Sequence, residues 1–195
     1  NFRVSTARFA NVAFSNGSLL DGFIYRLSKK QPLSCPLDIK RFFVTQKQSG
    51  QICLLATFLG ETGNIFFPKL DFNKHQILFK KIALDFLKEN GYEAVLVKSE
   101  KEAKKFKFDK NPSKYPIYFF KTNTSGEKKY EEFYTDNEEY IIDKFNSLGF
   151  INTLDVKISF KEVKSDFEDA FNNKNSTKSD IISIIKKYVP DFEHI

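Results

Sequence analysis

The stretch with the clearest chemical potential runs from Asn11 through Gly17 into Ser18, where a small polar loop hands the chain to an apolar helical pattern. Ser15-Asn16-Gly17 supplies turn chemistry. Ser18 suits a helix N-cap, and Asp21 gives a capping-box-like start. A strand that delivers a polar loop to a helix N-terminus can hold an anion, because unpaired N–H groups and the helix dipole both point there. The same pattern also serves as an ordinary strand–loop–helix unit with no ligand. Arginine is the second signal. Only four of the 31 basic residues are arginine, at positions 3, 8, 26 and 41. In so lysine-rich a chain an arginine is there for its planar fork, which fits phosphate or carboxylate oxygens. Any of the four, Arg41 among them, is therefore a candidate for an anion contact, with a surface salt bridge as the competing role. Arg8 suits a structural role at a strand end.

Other chemistry-bearing residues point less far. Cys35 and Cys53 have no metal-ligand spacing; they fit small buried hydrophobes in a reducing, cytoplasmic setting. His75 stands alone, without a second ligand at metal spacing, and reads as a solvated surface residue. Two Tyr-x-x-x-Lys strings occur, Tyr25 to Lys29 and Tyr140 to Lys144. With 8 Tyr and abundant Lys, such strings arise by chance, and we read both as incidental. No glycine-rich G-x-x-G-x-x-G turn for a dinucleotide occurs.

The elements that must position these residues follow from periodicity. Phe2, Val4 and Thr6 alternate with Arg3, Ser5 and Ala7 as in a strand. Leu19, Leu20, Phe23, Ile24 and Leu27 make one helical face, and Gln31 to Pro36 is extended. Thr45 with Gln48 forms a capping box for a helix whose apolar face is Ile52, Leu55, Phe58 and Leu59, with Gly60 as its C′ residue. Ile65 to Pro68 is a short buried strand. A long helix is predicted from about Lys74 to Asn90, with Ile77, Leu78, Ile82, Phe86 and Leu87 inward and Gly91 as its stop. Tyr92–Val97 and Pro116–Lys121 read as strands, and the charged run between them as a solvated face. Val156–Asn172 and Ser179–Tyr188 read as two amphipathic helices, a tail expected to pack on the body or to take part in a subunit contact.

Several of these segments, in order, resemble nucleotide-sugar 4,6-dehydratases, which are extended short-chain dehydrogenase/reductases (SDRs) of the polysaccharide biosynthesis type acting on nucleoside-diphosphate N-acetylhexosamines. Arg8-Phe9-Ala10-Asn11-Val12 followed by Ser15-Asn16-Gly17-Ser18 is similar to that family's R-[YF]-[GA]-N-V…S-x-G-S segment. Lys40-Arg41-Phe42-Phe43, the I-F-x-P-K pattern of Ile65–Lys69, and Gly126-Glu127-Lys128 follow in order, so the resemblance spans about residues 3 to 150. It implies an α/β fold, namely the C-terminal substrate-binding part of a Rossmann-like extended SDR, without the N-terminal dinucleotide half. It also implies Asn11, Ser18 and Arg41 at the diphosphate, Leu33, Ser34 and Cys35 beside the base, and Glu127 accepting from the ribose hydroxyls. Lys69 is a further candidate for a nucleotide contact, with an exposed strand-end lysine as the commoner alternative. Thr124-Ser125 stand where many relatives carry Arg-Pro, a departure that puts a second diphosphate contact of that family in doubt without overturning the resemblance.

The resemblance implies NAD(P) as cofactor of the full-length protein, a UDP- or GDP-linked sugar as substrate, and a homo-oligomer. A Tyr–Lys pair is needed to move the C4 hydroxyl proton, the lysine lowering the tyrosine's pKa. In that family the pair precedes the strand matched by Phe2 to Thr6, so this chain alone is expected to be inactive. The lack of Met and the opening almost directly into a strand predict a piece of a longer protein, and the resemblance implies roughly 150 further residues upstream, holding the dinucleotide fold. Residues 1–152 would be the last Rossmann strands and the nucleotide-sugar region, and 153–195 a helical extension.

The chain's 195 residues and 23 Phe give ample material for a core. No window approaches a membrane span. A net charge of +6 raises a nucleic-acid module as a rival. The phenylalanines fall on periodic core faces, however, and residues 153–195 hold seven Lys against eight acids, so the basicity is diffuse. Two more functions are compatible with these residues: an epimerase or reductase of the same superfamily, and a non-catalytic interaction module.

Overall fold

The computed structural model describes residues 2–122, 130–135, 137–153, 158–190 and 192. The chain is α/β, as expected. Strands β1 (Thr6–Ala7) and β2 (Asn11–Val12) precede helix α1 (Leu19–Ser28). Strands β3 (Leu33–Pro36), β4 (Lys40–Arg41) and β5 (Phe43–Val44) lead to α2 (Gln46–Leu59). Next come β6 (Asn64–Pro68), α3 (Phe72–His75), β7 (Ile77–Leu78), α4 (Phe79–Glu89), β8 (Glu93–Val97), α5 (Glu100–Lys104) and β9 (Lys114–Phe120). The last elements are β10 (Tyr140–Ile141), β11 (Leu148–Asn152), α6 (Phe160–Asn172) and α7 (Lys178–Tyr188).

Among the described residues the strands form four small sheets. One has the order β1-β6-β11-β10, with β1 parallel to β6 and the other pairs antiparallel. The second, β3-β9-β8, is wholly parallel. Strand β2 pairs in parallel with β5, and β4 pairs antiparallel with β7. By its contacts the chain divides into two units, residues 1–122 with 128–154, and residues 123–127 with 155–195.

In the first unit, α1 and α4 cover the β3-β9-β8 sheet. Leu20, Phe23, Leu33, Cys35, Ala83, Leu87, Tyr115 and Ile117 form its core. Phe23 and Phe86 meet with ring centroids 5.5 Å apart, an aromatic contact that adds to simple burial. The buried Tyr115 hydroxyl donates to the Gln31 carbonyl at 2.9 Å, so its polar tip is satisfied just beyond the α1 C-terminus. Burial pushes its pKa up to about 12. A second core lies on β6 and β11, where Phe66 sits directly opposite Phe150 and stacks on it at 5.4 Å. Gly149 on β11 is required by close packing, since a Cβ there would lie 2.6 Å from the Phe67 ring.

The second unit contains the helix pair α6 and α7, joined by a cluster of polar contacts. Asp166 accepts from Lys187 Nζ at 2.7 Å and from the Tyr188 hydroxyl at 2.6 Å, and Lys187 also reaches Glu162 at 3.0 Å. These contacts hold the Asp166 carboxyl below its ordinary range. Thr177 and Asp180 make a reciprocal capping box at the start of α7.

Several sequence expectations need correction. The first strand is shorter than the alternation suggests: only Thr6–Ala7 pairs with β6, and Phe2 is 96% exposed. Asn11 belongs to strand β2 rather than to the loop. The predicted helix from Lys74 to Asn90 is broken at Gln76, because Ile77 and Leu78 pair with Arg41 and Lys40 as a ladder. In α2 the inward residues are Ile52 and Ala56, whereas Leu55, Phe58 and Leu59 are exposed. Gly60 also serves differently than expected. Its φ of −82° is extended, not left-handed, and its lack of a side chain admits Ser5, whose Cβ would lie 2.6 Å from an added Cβ.

Candidate functional site

Strands β2 and β5 run parallel with Asn11 opposite Phe43 and Val12 opposite Val44. Both leave their sheet at the same end, one toward α1 and the other directly into α2. The carboxyl ends of parallel strands are where α/β proteins bind ligands, because helix N-termini gather there. At this end Ser18 Oγ accepts from Asp21 N at 3.2 Å, and Asp21 Oδ2 accepts from Gly17 N at 3.1 Å. The Ser18 cap expected from the sequence is therefore present, with the acid reaching Gly17 instead of the cap residue itself. Gly17 has φ +76°, the left-handed conformation its residue type tolerates. Phe14 is also left-handed at φ +59°, a strained choice for a bulky side chain, in the turn that aims α1. The Leu19 and Leu20 N–H groups of the first helical turn have no hydrogen-bond acceptor among the described residues.

A cavity of about 230 Å³ opens beside this turn, walled by Asn11, Ser15 to Leu20, Phe43 and Phe79. Its volume suits one polar group of a ligand, not a whole nucleotide sugar. A larger apolar groove of about 800 Å³ adjoins it, sharing Leu20, with Lys40, Lys74 and Lys81 on its lining.

Arg41 lies at the adjoining β4. Its Nη1 donates to the Lys40 carbonyl at 2.8 Å, and its guanidinium is 6.0 Å from the centroid of Phe79, one wall of the cavity. Asn11, Ser18 and Arg41 are thus gathered at one end of the fold. Leu33 and Ser34 are not: they line a different cavity of about 150 Å³ with Arg26, Glu100, Lys104 and Tyr118. Leu33 and Cys35 turn their side chains into the core, where burial drives the Cys35 thiol up to about 12. Any base contact there must use Ser34 or the backbone edge of β3 opposite β9, which pairs with no strand among the described residues. Glu127 lies outside the described residues. Lys69 is occupied, its Nζ donating to the Ile142 and Phe145 carbonyls at 2.7 and 3.0 Å.

One residue at this site has no role assigned by sequence pattern. Glu131 Oε2 accepts from Phe42 N at 2.9 Å and from Asn11 Nδ2 at 3.2 Å. Its own carbonyl accepts from Gln76 Nε2 at 2.7 Å. Burial raises its carboxyl above the usual range, while the Phe42 N–H, the Arg41 charge and the Asn11 amide pull it part of the way back. The sequence signal for it is its place as the closing acid of the G-E-K-x-x-E pattern, Gly126 to Glu131, a pattern that by itself gives that acid no separate role. The two Tyr-x-x-x-Lys strings have other occupations. Lys29 Nζ stands 6.0 Å over the Tyr25 ring, and Tyr140 stacks on Tyr134 at 4.0 Å.

The arrangement places N–H groups and a guanidinium where they can bind and orient an anion. Its described strand-to-helix turns do not fit a dinucleotide: the turn into α1 holds Gly17 alone, and Thr45 alone separates β5 from α2. No helix among the described residues is long and apolar enough to cross a membrane.

Comparison with known proteins agrees with this architecture. Among solved structures, Pen from Bacillus thuringiensis superposes with a TM-score of 0.57 at 20% identity, over 80% of this chain and 42% of that one. The likeness concerns the fold, and this chain spans less than half of that protein's length. No curated protein sequence matches. The family described as polysaccharide biosynthesis protein matches residues 1–152, and with that match covering most of its length, the chain belongs to the polysaccharide biosynthesis protein family.

Proposed function

We propose that this chain is the substrate-binding portion of an NAD(P)-dependent 4,6-dehydratase acting on a nucleoside-diphosphate N-acetylhexosamine, a homo-oligomer in its full-length form. The observation that carries the reading is the gathering of Asn11, the Ser18-capped start of α1, and Arg41 at the carboxyl end of β2. The first-turn N–H groups and the guanidinium supply two kinds of donor for a diphosphate. In this reading the base is met by Ser34 and the outer edge of β3, and the role that the resemblance implies for Glu127 is to accept from the ribose hydroxyls.

Hydride chemistry needs a nicotinamide, which the described turns into α1 and α2 do not fit, and among the described residues Tyr25, Lys29, Tyr140 and Lys144 make other contacts. The chain's part is therefore to select the substrate and to aim the sugar at groups supplied elsewhere in a longer protein. An epimerase or reductase of the same superfamily would share this half of the site.

Calorimetry with UDP, GDP and UDP-N-acetylglucosamine tests the reading. Arg41→Ala should weaken the nucleotide about tenfold or more, the cost of a charged contact worth about 1.5–3 kcal/mol. Equal affinity in the two proteins would remove Arg41 from the site. Oligonucleotide binding that falls steeply with salt would favour the nucleic-acid reading instead.

A further inference from the structure

Asn11 has two side-chain N–H bonds, and both are already used. Nδ2 donates to the Phe42 carbonyl at 3.3 Å and to Glu131 Oε2 at 3.2 Å. Its main-chain N–H also bonds to the Phe42 carbonyl, at 3.2 Å. A carboxamide whose donors are both engaged offers only its carbonyl oxygen, an acceptor, to anything else. Asn11 Oδ1 accepts no hydrogen bond among the described residues, and Asn11 lines the cavity at the α1 N-terminus. An acceptor repels a phosphate oxygen and attracts a hydroxyl or an N–H.

Two acceptors fix this orientation, the Phe42 carbonyl and Glu131. The same oxygen, Oε2, takes the Phe42 N–H and the Asn11 amide, so the carboxylate ties β2 to the junction between β4 and β5, next to Arg41. The Gln76 side chain holds the Glu131 main chain in turn, from the break between α3 and β7.

We propose that Glu131 is a positioning residue that turns the Asn11 carbonyl toward the ligand, making Asn11 the reader of a neutral hydroxyl or N–H donor beside the anion and leaving the anion to Arg41 and α1. This rests on the nucleotide-sugar reading above and narrows it: the ligand must carry such a donor next to its charged group, as a diphosphate-linked sugar does and inorganic pyrophosphate does not.

The test compares the full chain with Asn11→Ala, Glu131→Ala, Glu131→Gln and the Asn11→Ala/Glu131→Ala double variant, using UDP-N-acetylglucosamine and inorganic pyrophosphate as probes. Asn11→Ala and Glu131→Ala should each weaken the nucleotide sugar about fivefold, the double variant no further, and pyrophosphate should be unaffected. Because a single oxygen serves both donors, Glu131→Gln keeps an acceptor in place and should bind within about twofold of the parent. An Asn11→Ala loss that is equal for the two probes would overturn the assignment, and so would additive single losses. In the ligand-free chain, the Asn11 side-chain amide resonances should shift in Glu131→Ala and stay put in Glu131→Gln. If they are unmoved in both, Glu131 does not position Asn11, whatever binds. If the parent binds neither probe, the nucleotide-sugar reading fails and takes the ligand part of this proposal with it, while the resonances still decide the positioning part.

Discussion

Glu131 and Glu138 lie on the same returning segment between β9 and β11, and both tie it to the N-terminal strands, by opposite physics. Glu138 meets Arg8 in a two-pronged pair, Nη2 to Oε1 at 3.0 Å and Nη1 to Oε2 at 3.2 Å, with the Thr135 N–H adding a third donor at 2.8 Å. The Arg8 contact is the main reason its carboxyl is held below the ordinary range. Among the described residues Glu131 takes only neutral donors at hydrogen-bond distance, and burial pushes its carboxyl the other way. A charge that meets a matching fork fastens the fold. A charge kept half-buried on amides disfavours its own ionised form, a pattern that gathers at functional sites. The Glu138 anchor holds the strand and the Glu131 anchor holds the site.

Breaking the fork should have the largest effect. Arg8→Ala strands Glu138 among Thr135 and the Phe133 carbonyl, which also accepts from Arg8 at 2.8 Å, and should cost about 1–3 kcal/mol in chemical denaturation. Nucleotide affinity in the folded variant should stay close to that of the parent. A small stability loss with a large affinity loss would erase the distinction between the two anchors.

The pH dependence sharpens it. The folded-state carboxyl of Glu138 lies below its unfolded value, so its contribution is full above the unfolded value and fades as pH falls through the folded one. Glu138→Gln should therefore lose about 1–2 kcal/mol near neutrality and much less in acid. For Glu131 the sign reverses: the folded carboxyl binds its proton more tightly, so stability is greatest below the unfolded value and declines as pH rises through the folded one. Glu131→Gln should flatten that decline and match or slightly exceed the parent at neutral pH, by less than about 1 kcal/mol. Denaturant midpoints across a pH series read both signs, and a Glu131→Gln loss near neutrality equal to that of Glu138→Gln would contradict the contrast. The smallest effect belongs to neither anchor. Tyr25 is 59% exposed on α1, so Tyr25→Phe should change stability and ligand binding by less than about 0.5 kcal/mol.

Elements defined by their own residues were readable in the sequence. The Ser18 cap, the reciprocal Thr45–Gln48 box at 2.8 and 3.1 Å, the Gly91 stop at φ +81° and the two C-terminal helices all follow from chemistry within a few residues. Errors arose where distant chain intervened. Periodicity runs smoothly across Gln76, yet the helix stops there because Gln76 reaches the Glu131 carbonyl and Ile77–Leu78 pair with β4. Arg8 could be read as architectural from its residue type, but its partner could not. Asn11 and Arg41 could be marked as candidate ligands, whereas which atom Asn11 presents depends on Glu131.

Sequence alone determined the class of fold, the helix starts and the small polar loop before α1, since caps, turns and apolar spacing act between near neighbours. Tertiary structure decided the rest: a carboxylate far along the chain selects the face of one amide, a strand pair interrupts a helix, and a glycine admits a crossing serine. Those outcomes depend on hydrogen bonds and close contacts between segments that meet only after folding, so local pattern carries no trace of them.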